Sequence, residues 1–218
     1  SIGAQSGDDN ELKVLGRIHS AEDTVNAVKI ARGLGFNNIS LDLMLGLPES
    51  NLESLEKNLE FITSLAPEHI SAYILKIEEN TAFAKFESDL TLPNDDEIAE
   101  QYLFMSEYLE RKGFSHYEIS NFCLSGWHSR HNSSYWTGKK YLGCGPSAHS
   151  FNGLSRQWNV ASLEAYIYGI QQGKPDFEIE ELDLYTRYND FVITSIRTCW
   201  GMSLSRLRSE YGEELYRY

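Results

Sequence analysis

The sequence predicts an α/β fold in two parts: a parallel sheet with covering helices over residues 1–113, then an α+β region over residues 114–218. Three observations carry this. Before residue 114, short apolar runs alternate with longer stretches in which apolar residues recur every three to four positions, the pattern of successive βα units. The runs start about 30 to 37 residues apart, one βα unit each. From residue 114 to 160 the helical period lapses while Gly, Ser and Asn rise.

The elements follow in order. A first strand ends near Gln5. Ser20-Ala21-Glu22-Asp23 has the form of a capping box, opening a helix with Val25, Val28, Ala31 and Leu34 on one side and Gly35 as its stop. Asn38 to Leu45 reads as the second strand. Ser50 can cap a helix whose Leu52, Leu55, Leu59, Ile62 and Leu65 form one stripe, and Pro67 forbids its continuation. His69 to Ile77 is the third strand. Asp95 to Lys112 is a helix facing inward with Ile98, Tyr102, Met105 and Leu109, ended by Gly113. In the second part, strands are expected near Tyr117 to Phe122 and Leu142 to Phe151, around a long irregular loop. Helices are expected over residues 161–172 and 183–199, and a last one begins at Leu204 and runs to Tyr218.

Composition narrows the function. The chain carries 32 acidic and 19 basic residues, a formal net charge of -13. That balance argues against a nucleic-acid partner, whose binding rests on Lys and Arg neutralising phosphates. No apolar run approaches the roughly 18 residues of a membrane span. Cys123, Cys144 and Cys199 are odd in number and widely spaced, so neither a disulfide framework nor a Cys-x-x-Cys metal knuckle can be drawn; a reducing cytosol is the expected home. The sequence opens at Ser1 inside a strand, so it is expected to be a piece of a longer chain.

One charged residue stands out in the first part. Buried parallel strands usually read as continuous Val, Ile and Leu, so Asp42 within Leu41-Asp42-Leu43 needs a reason. Alternation puts Leu41, Leu43 and Leu45 on one face and Ser40, Asp42 and Met44 on the other. In a sheet curled into part of a barrel, that second face is the lumen, and ligands bind at the carboxyl ends of the strands, where Gln5, Asp42 and Lys76 fall. An internal network, with Asp42 paired to Arg17 or Lys76, accounts for it equally well.

The second part holds an acid-free window. The 45 residues between Glu118 and Glu164 contain no Asp or Glu, where an even spread of the chain's acids would place several. The same window carries Arg130, Lys139, Lys140 and Arg156, three of the six histidines (His128, His131, His149) and three of the four tryptophans (Trp127, Trp136, Trp158). Cations beside large flat faces suit a ligand that is planar and apolar in its body and anionic at its rim, such as a carboxylated porphyrin or a mononucleotide. The alternative, that these aromatics are the core of a small subdomain, explains the missing acids poorly. His128 and His131, without further Cys or carboxylate nearby, make a weak zinc pair.

Several stretches taken together resemble a known family. Ser1-Ile2-Gly3-Ala4-Gln5-Ser6, Leu15-Gly16-Arg17, Ile39 to Pro48 (ISLDLMLGLP) and Tyr117 to Phe122 (YEISNF) are similar to the radical S-adenosylmethionine (radical SAM) proteins related to oxygen-independent coproporphyrinogen III oxidase. His131-Asn132-Ser133-Ser134-Tyr135-Trp136 resembles the HNxxYW motif of the HemW-type haem chaperones in that family, and Tyr141 to Ser150 (YLGCGPSAHS) is similar to their glycine-rich strand. The resemblance runs over essentially the whole chain, with its motifs in order.

It implies a partial (β/α)6 barrel followed by an α+β accessory domain, with S-adenosylmethionine across the strand ends. By that similarity Gln5, Arg17 and Asp42 match the family's adenosylmethionine contacts, and Lys76 falls at a further contact through its backbone. The same likeness implies haem at His131, Asn132, Tyr135 and Trp136, with His131 as the axial-ligand candidate for the iron. One departure matters: the family holds a [4Fe-4S] cluster in a Cys-x-x-x-Cys-x-x-Cys loop, and no such triplet is present, so the ligands are expected upstream of Ser1 and this chain alone is expected to be inactive. An absent barrel start would leave a parallel edge that invites pairing with another copy. The expected function is that of a haem chaperone delivering haem to apo-proteins; the second reading is oxidative decarboxylation of coproporphyrinogen III to protoporphyrinogen IX. A plain barrel enzyme for a phosphorylated metabolite lacks a phosphate loop.

Overall fold

The computed structural model describes residues 1–79, 81 and 83–218, and in these all side chains except those of residues 87 and 88. The chain divides into two compact units, Ser1–His128 and Ser129–Tyr218.

The first unit is built on β1 (Ile2–Gln5), α1 (Asp9–Val14), α2 (Ala21–Gly33), β2 (Ser40–Leu45), α3 (Leu52–Ser64), β3 (His69–Ile74), α4 (Asp95–Arg111), β4 (Ser115–Glu118) and β5 (Asn121–Cys123). Its five strands form one sheet in the order β1-β2-β3-β5-β4. The first three are parallel, and β5 and β4 add antiparallel at the far side. Leu41, Leu43 and Leu45 of β2 are buried, and with Ile70 they pack against Leu55, Leu59 and Ile62 of α3 and Met105 and Leu109 of α4. Each such side chain contributes about 1.5–3 kcal/mol by leaving water. That leaves the opposite face of the sheet for polar groups.

The helix ends obey their local sequence. Ser20 accepts from the Asp23 amide and Asp23 returns a bond to the Ser20 amide, the capping box read from the sequence. For α3 the cap lies one residue later than Ser50: Asn51 accepts from the Ser54 amide, and Ser54 receives the Asn51 amide. The single strand expected near Tyr117 to Phe122 is a hairpin instead, β4 and β5 turning at Ile119 and Ser120. Because β5 pairs with β3, this hairpin is part of the first unit, so the division falls after His128 and not at residue 113.

The second unit contains α5 (Arg130–Trp136), β6 (His149–Phe151), β7 (Ser155–Asn159), α6 (Leu163–Gln171), β8 (Phe177–Glu181), α7 (Leu184–Ile196) and α8 (Leu204–Arg217). β6, β7 and β8 form an antiparallel sheet. The strand expected from Leu142 shortens to β6, with Tyr141 joined to Phe151 by an isolated bridge, and the expected irregular loop holds α5. Among the described residues no helix is long and apolar enough to cross a membrane.

Candidate functional site

Two groups of side chains come forward, one in each unit. In the first, the register sets neighbours on the polar face: Ser40 beside His69, Asp42 beside Ser71, and Ser71 beside Asn121. Glu118 pairs with Asn121 across the hairpin, and the Asn121 amide donates to its carboxylate. A polar row, Asp42-Ser71-Asn121-Glu118, therefore crosses four strands, with Ser71, Asn121 and Glu118 all buried.

Gln5 ends β1 with φ 66, a left-handed backbone unusual for a non-glycine residue. Its side-chain oxygen is buried and has no hydrogen-bond partner, as has that of Asn121. A Cβ at Gly3 would stand 2.9 Å from Gln5 Nε2 and 4.0 Å from Asp42 Oδ2, so the bare strand at Gly3 leaves the room that both side chains overlook. Asp42 is half-buried, and its Oδ1 accepts from the Ser1 hydroxyl at 2.9 Å. Arg17 and Lys76 do not join them in pairing. Both are exposed, and Lys76 Nζ lies 2.8 Å from Glu78 Oε1. The internal network weighed for Asp42 is not formed.

One level below, His69 is buried with both ring nitrogens engaged, Nδ1 with the Ser40 hydroxyl and Nε2 with the Tyr117 hydroxyl, each at 2.8 Å. Burial, and next the nearby His128, lowers its pKa to about 4. Sequence reading passed over His69, Asn121 and Glu118. Polar residues two apart in a strand, His69 and Ser71, were the available signal.

In the second unit the HNSSYW stretch forms α5. Ser129 caps it by accepting from the Asn132 amide at 3.2 Å, and Gly138 at φ 69 turns the chain away beyond its end. None of the α5 residues is buried. His131 and Tyr135 are both exposed, and one helical turn brings the Tyr135 hydroxyl to 3.2 Å from His131 Nε2. Asn132 and Trp136 are half-buried, with the Arg197 guanidinium over the Trp136 ring. Tyr135 meets Tyr141 edge to face at 4.9 Å, and Tyr141 meets Phe151. The other two histidines of the window have different partners: His128 lies against Tyr117 in the first unit, and His149 stacks on Trp158.

Behind α5 is a cavity of about 500 Å³ within the second unit. Its aromatic walls come from Tyr135 and Trp136, from Tyr141 and Phe151, and from Phe191 and Tyr211 on α7 and α8. Arg156, Arg187, Arg206, Asp190 and Glu210 supply its charge. The arginines of α7 and α8 lie far along the chain from the window, which is why sequence spacing could not assign them.

Comparison with known proteins follows the same lines. Residues 1–62 match the model of the Radical SAM superfamily. The chain is 36% identical over 218 residues to the haem chaperone HemW of Bacillus subtilis, an alignment covering 99% of this chain and 58% of that protein. It is 33% identical over 210 residues to HemW of Mycobacterium tuberculosis, covering 95% of this chain and 54% of the relative. The solved coproporphyrinogen III oxidase HemN of Escherichia coli, a radical SAM enzyme, superposes with a TM-score of 0.79 at 19% identity, over 96% of this chain and 51% of that one. The chain thus spans a little over half the length of the relatives it matches.

That superfamily implies S-adenosylmethionine and a [4Fe-4S] cluster. The face at Gln5 and Asp42 fits the first, with a carboxylate and an unsatisfied buried acceptor at the strand ends. The chain's own cysteines do not fit the second: Cys123 is buried, Cys144 and Cys199 are exposed, and no group of three His, Cys, Asp or Glu among the described residues could hold a metal ion. The family match over residues 1–62 and relatives more than 30% identical over nearly the whole chain agree: the chain belongs to the radical SAM superfamily, among the HemW-like proteins.

Proposed function

We propose that the protein is a haem chaperone: it takes haem on the second unit and passes it to apo-proteins in the cytosol. The observation that carries this is α5 itself, a helix that buries no residue and holds His131 and Tyr135 open to an incoming ring, beside a cavity walled by aromatics. In this reading His131 is the axial ligand, its Nε2 exchanging the Tyr135 hydroxyl for iron. Asn132, Tyr135 and Trp136 contact the macrocycle. Relatives 33–36% identical over nearly the whole chain and named as haem chaperones support it.

On the first unit, Gln5, Arg17, Asp42 and the Lys76 backbone bind S-adenosylmethionine. A carboxylate suits ribose hydroxyls, and a guanidinium suits the methionyl carboxylate. The second reading, decarboxylation of coproporphyrinogen III, takes its support from the HemN fold. Delivery separates the two. The hemin-loaded protein mixed with apomyoglobin should move its Soret band to that of holomyoglobin, and the full-length, cluster-loaded protein given coproporphyrinogen III should form no protoporphyrinogen. Retained haem together with protoporphyrinogen formation would make it an oxidase.

A further inference from the structure

The cavity behind α5 is charged unevenly. Arg156 is held by Asp190, and its Nη1 lies 3.5 Å from Glu180. The Asp190 hydrogen bond keeps the Arg156 pKa above its ordinary value. Arg206 is held by Glu210 at 2.8 Å and lies over the Phe191 ring. Arg187 is different. It is half-buried, its Nε donates only to the Asp183 backbone oxygen at 3.4 Å, and among the described residues no carboxylate comes within ion-pairing distance of it. A guanidinium carries five N–H donors in a fixed fork, so most of those of Arg187 are unused. Asp190 and Glu180 attend Arg156 and Glu210 attends Arg206, so of the three guanidiniums lining the cavity Arg187 is the one without an ion pair among the described residues, in a chain whose net charge is -13.

Aromatic walls with one guanidinium outside any ion pair suit a flat apolar body that carries a carboxylate. Tyr135 joins this cavity to the helix surface, because it lines the cavity and its hydroxyl meets His131. We propose that Arg187 on α7 anchors a peripheral carboxylate of the bound tetrapyrrole, making α7 and α8 part of the haem site together with α5. This rests on the haem reading above.

The test compares hemin with hemin dimethyl ester, whose propionates carry no charge, by Soret titration of the full chain. Arg187→Gln should weaken hemin binding about tenfold, the scale of one charge-assisted contact, and leave ester binding unchanged. Arg187→Lys, which keeps the charge but not the fork, should recover part of the loss. Hemin binding unchanged in Arg187→Gln, or hemin and ester weakened equally in both variants, would overturn the anchor and leave haem binding standing. A wild-type chain that alters neither spectrum would overturn the haem reading and the anchor with it.

Discussion

His131 Nε2 and the Tyr135 hydroxyl are 3.2 Å apart, their rings edge to face at 5.1 Å. The phenol orients the imidazole, and under the proposed haem reading it is the group the imidazole would release to bind iron. Tyr135→Phe removes the hydrogen bond and keeps the ring, so hemin affinity should change by no more than about tenfold, the scale of one net hydrogen bond, with the Soret position kept. A spectrum altered as much as by His131→Ala would mean that the phenol, and not the imidazole, meets the iron.

Asp42 and Lys76 should separate in binding of adenosylmethionine. Asp42→Asn removes a charge from the face it shares with Gln5 and should weaken binding by about 10- to 100-fold by calorimetry. Lys76→Ala should leave it nearly unchanged, since that side chain is exposed and already pairs with Glu78. Equal losses would contradict the assignment of Lys76 to a backbone contact.

His69 makes the first unit sensitive to acid. Its folded pKa of about 4 lies below the ordinary histidine value of 6.5, so the unfolded chain binds the extra proton first. Stability on this account is fully present above pH 6.5 and falls as pH drops from 6.5 toward 4, by at most about 3 kcal/mol. Urea titrations at pH 7 and pH 4.5 should show a smaller difference for His69→Gln than for the wild type. An equal difference would show that carboxylates alone set the acid response.

The glycine-rich segment after α5 tolerates no side chain at its first glycine. A Cβ at Gly143 would stand 2.2 Å from the His149 backbone oxygen, where nothing flexible can yield. The Gly143 amide also donates to the Ser150 hydroxyl at 2.9 Å. Gly143→Ala should therefore part the segment from β6, costing about 1–3 kcal/mol of stability and weakening hemin binding. Gly126→Ala, with open space around it but a positive φ, should cost about 1 kcal/mol and leave hemin binding unchanged. Equal hemin binding in both variants would remove the segment from the site.

The sequence was most legible where period and caps agree. The alternation of β2 put Asp42 on the polar face opposite Leu41, Leu43 and Leu45, and the capping box at Ser20 opened α2 as read. The hairpin was hidden because its turn, Ile119-Ser120, has neither Gly nor Pro. β8 was missed because Phe177-Glu178-Ile179-Glu180-Glu181 is short and wholly exposed, so no buried face marks it. The brief α1 also escaped, although Asp8 accepts from two amides at its start. α5 has too few apolar positions for a helical period; its one clue was Ser129, three residues before the amide it caps. At the site, residue types in the window pointed to a flat anionic ligand. Arg187 and Arg206 are brought to the cavity behind α5 by tertiary packing, which no local pattern encodes.

In the proposed function, α5 offers a tetrapyrrole an imidazole ligand on the second unit. Equilibrium titration of hemin into the full chain and into His131→Ala tests it most directly. The wild type should give a saturable, shifted Soret band that His131→Ala moves or abolishes. A wild-type spectrum identical to that of free hemin, or a shift that survives intact in His131→Ala, would contradict it.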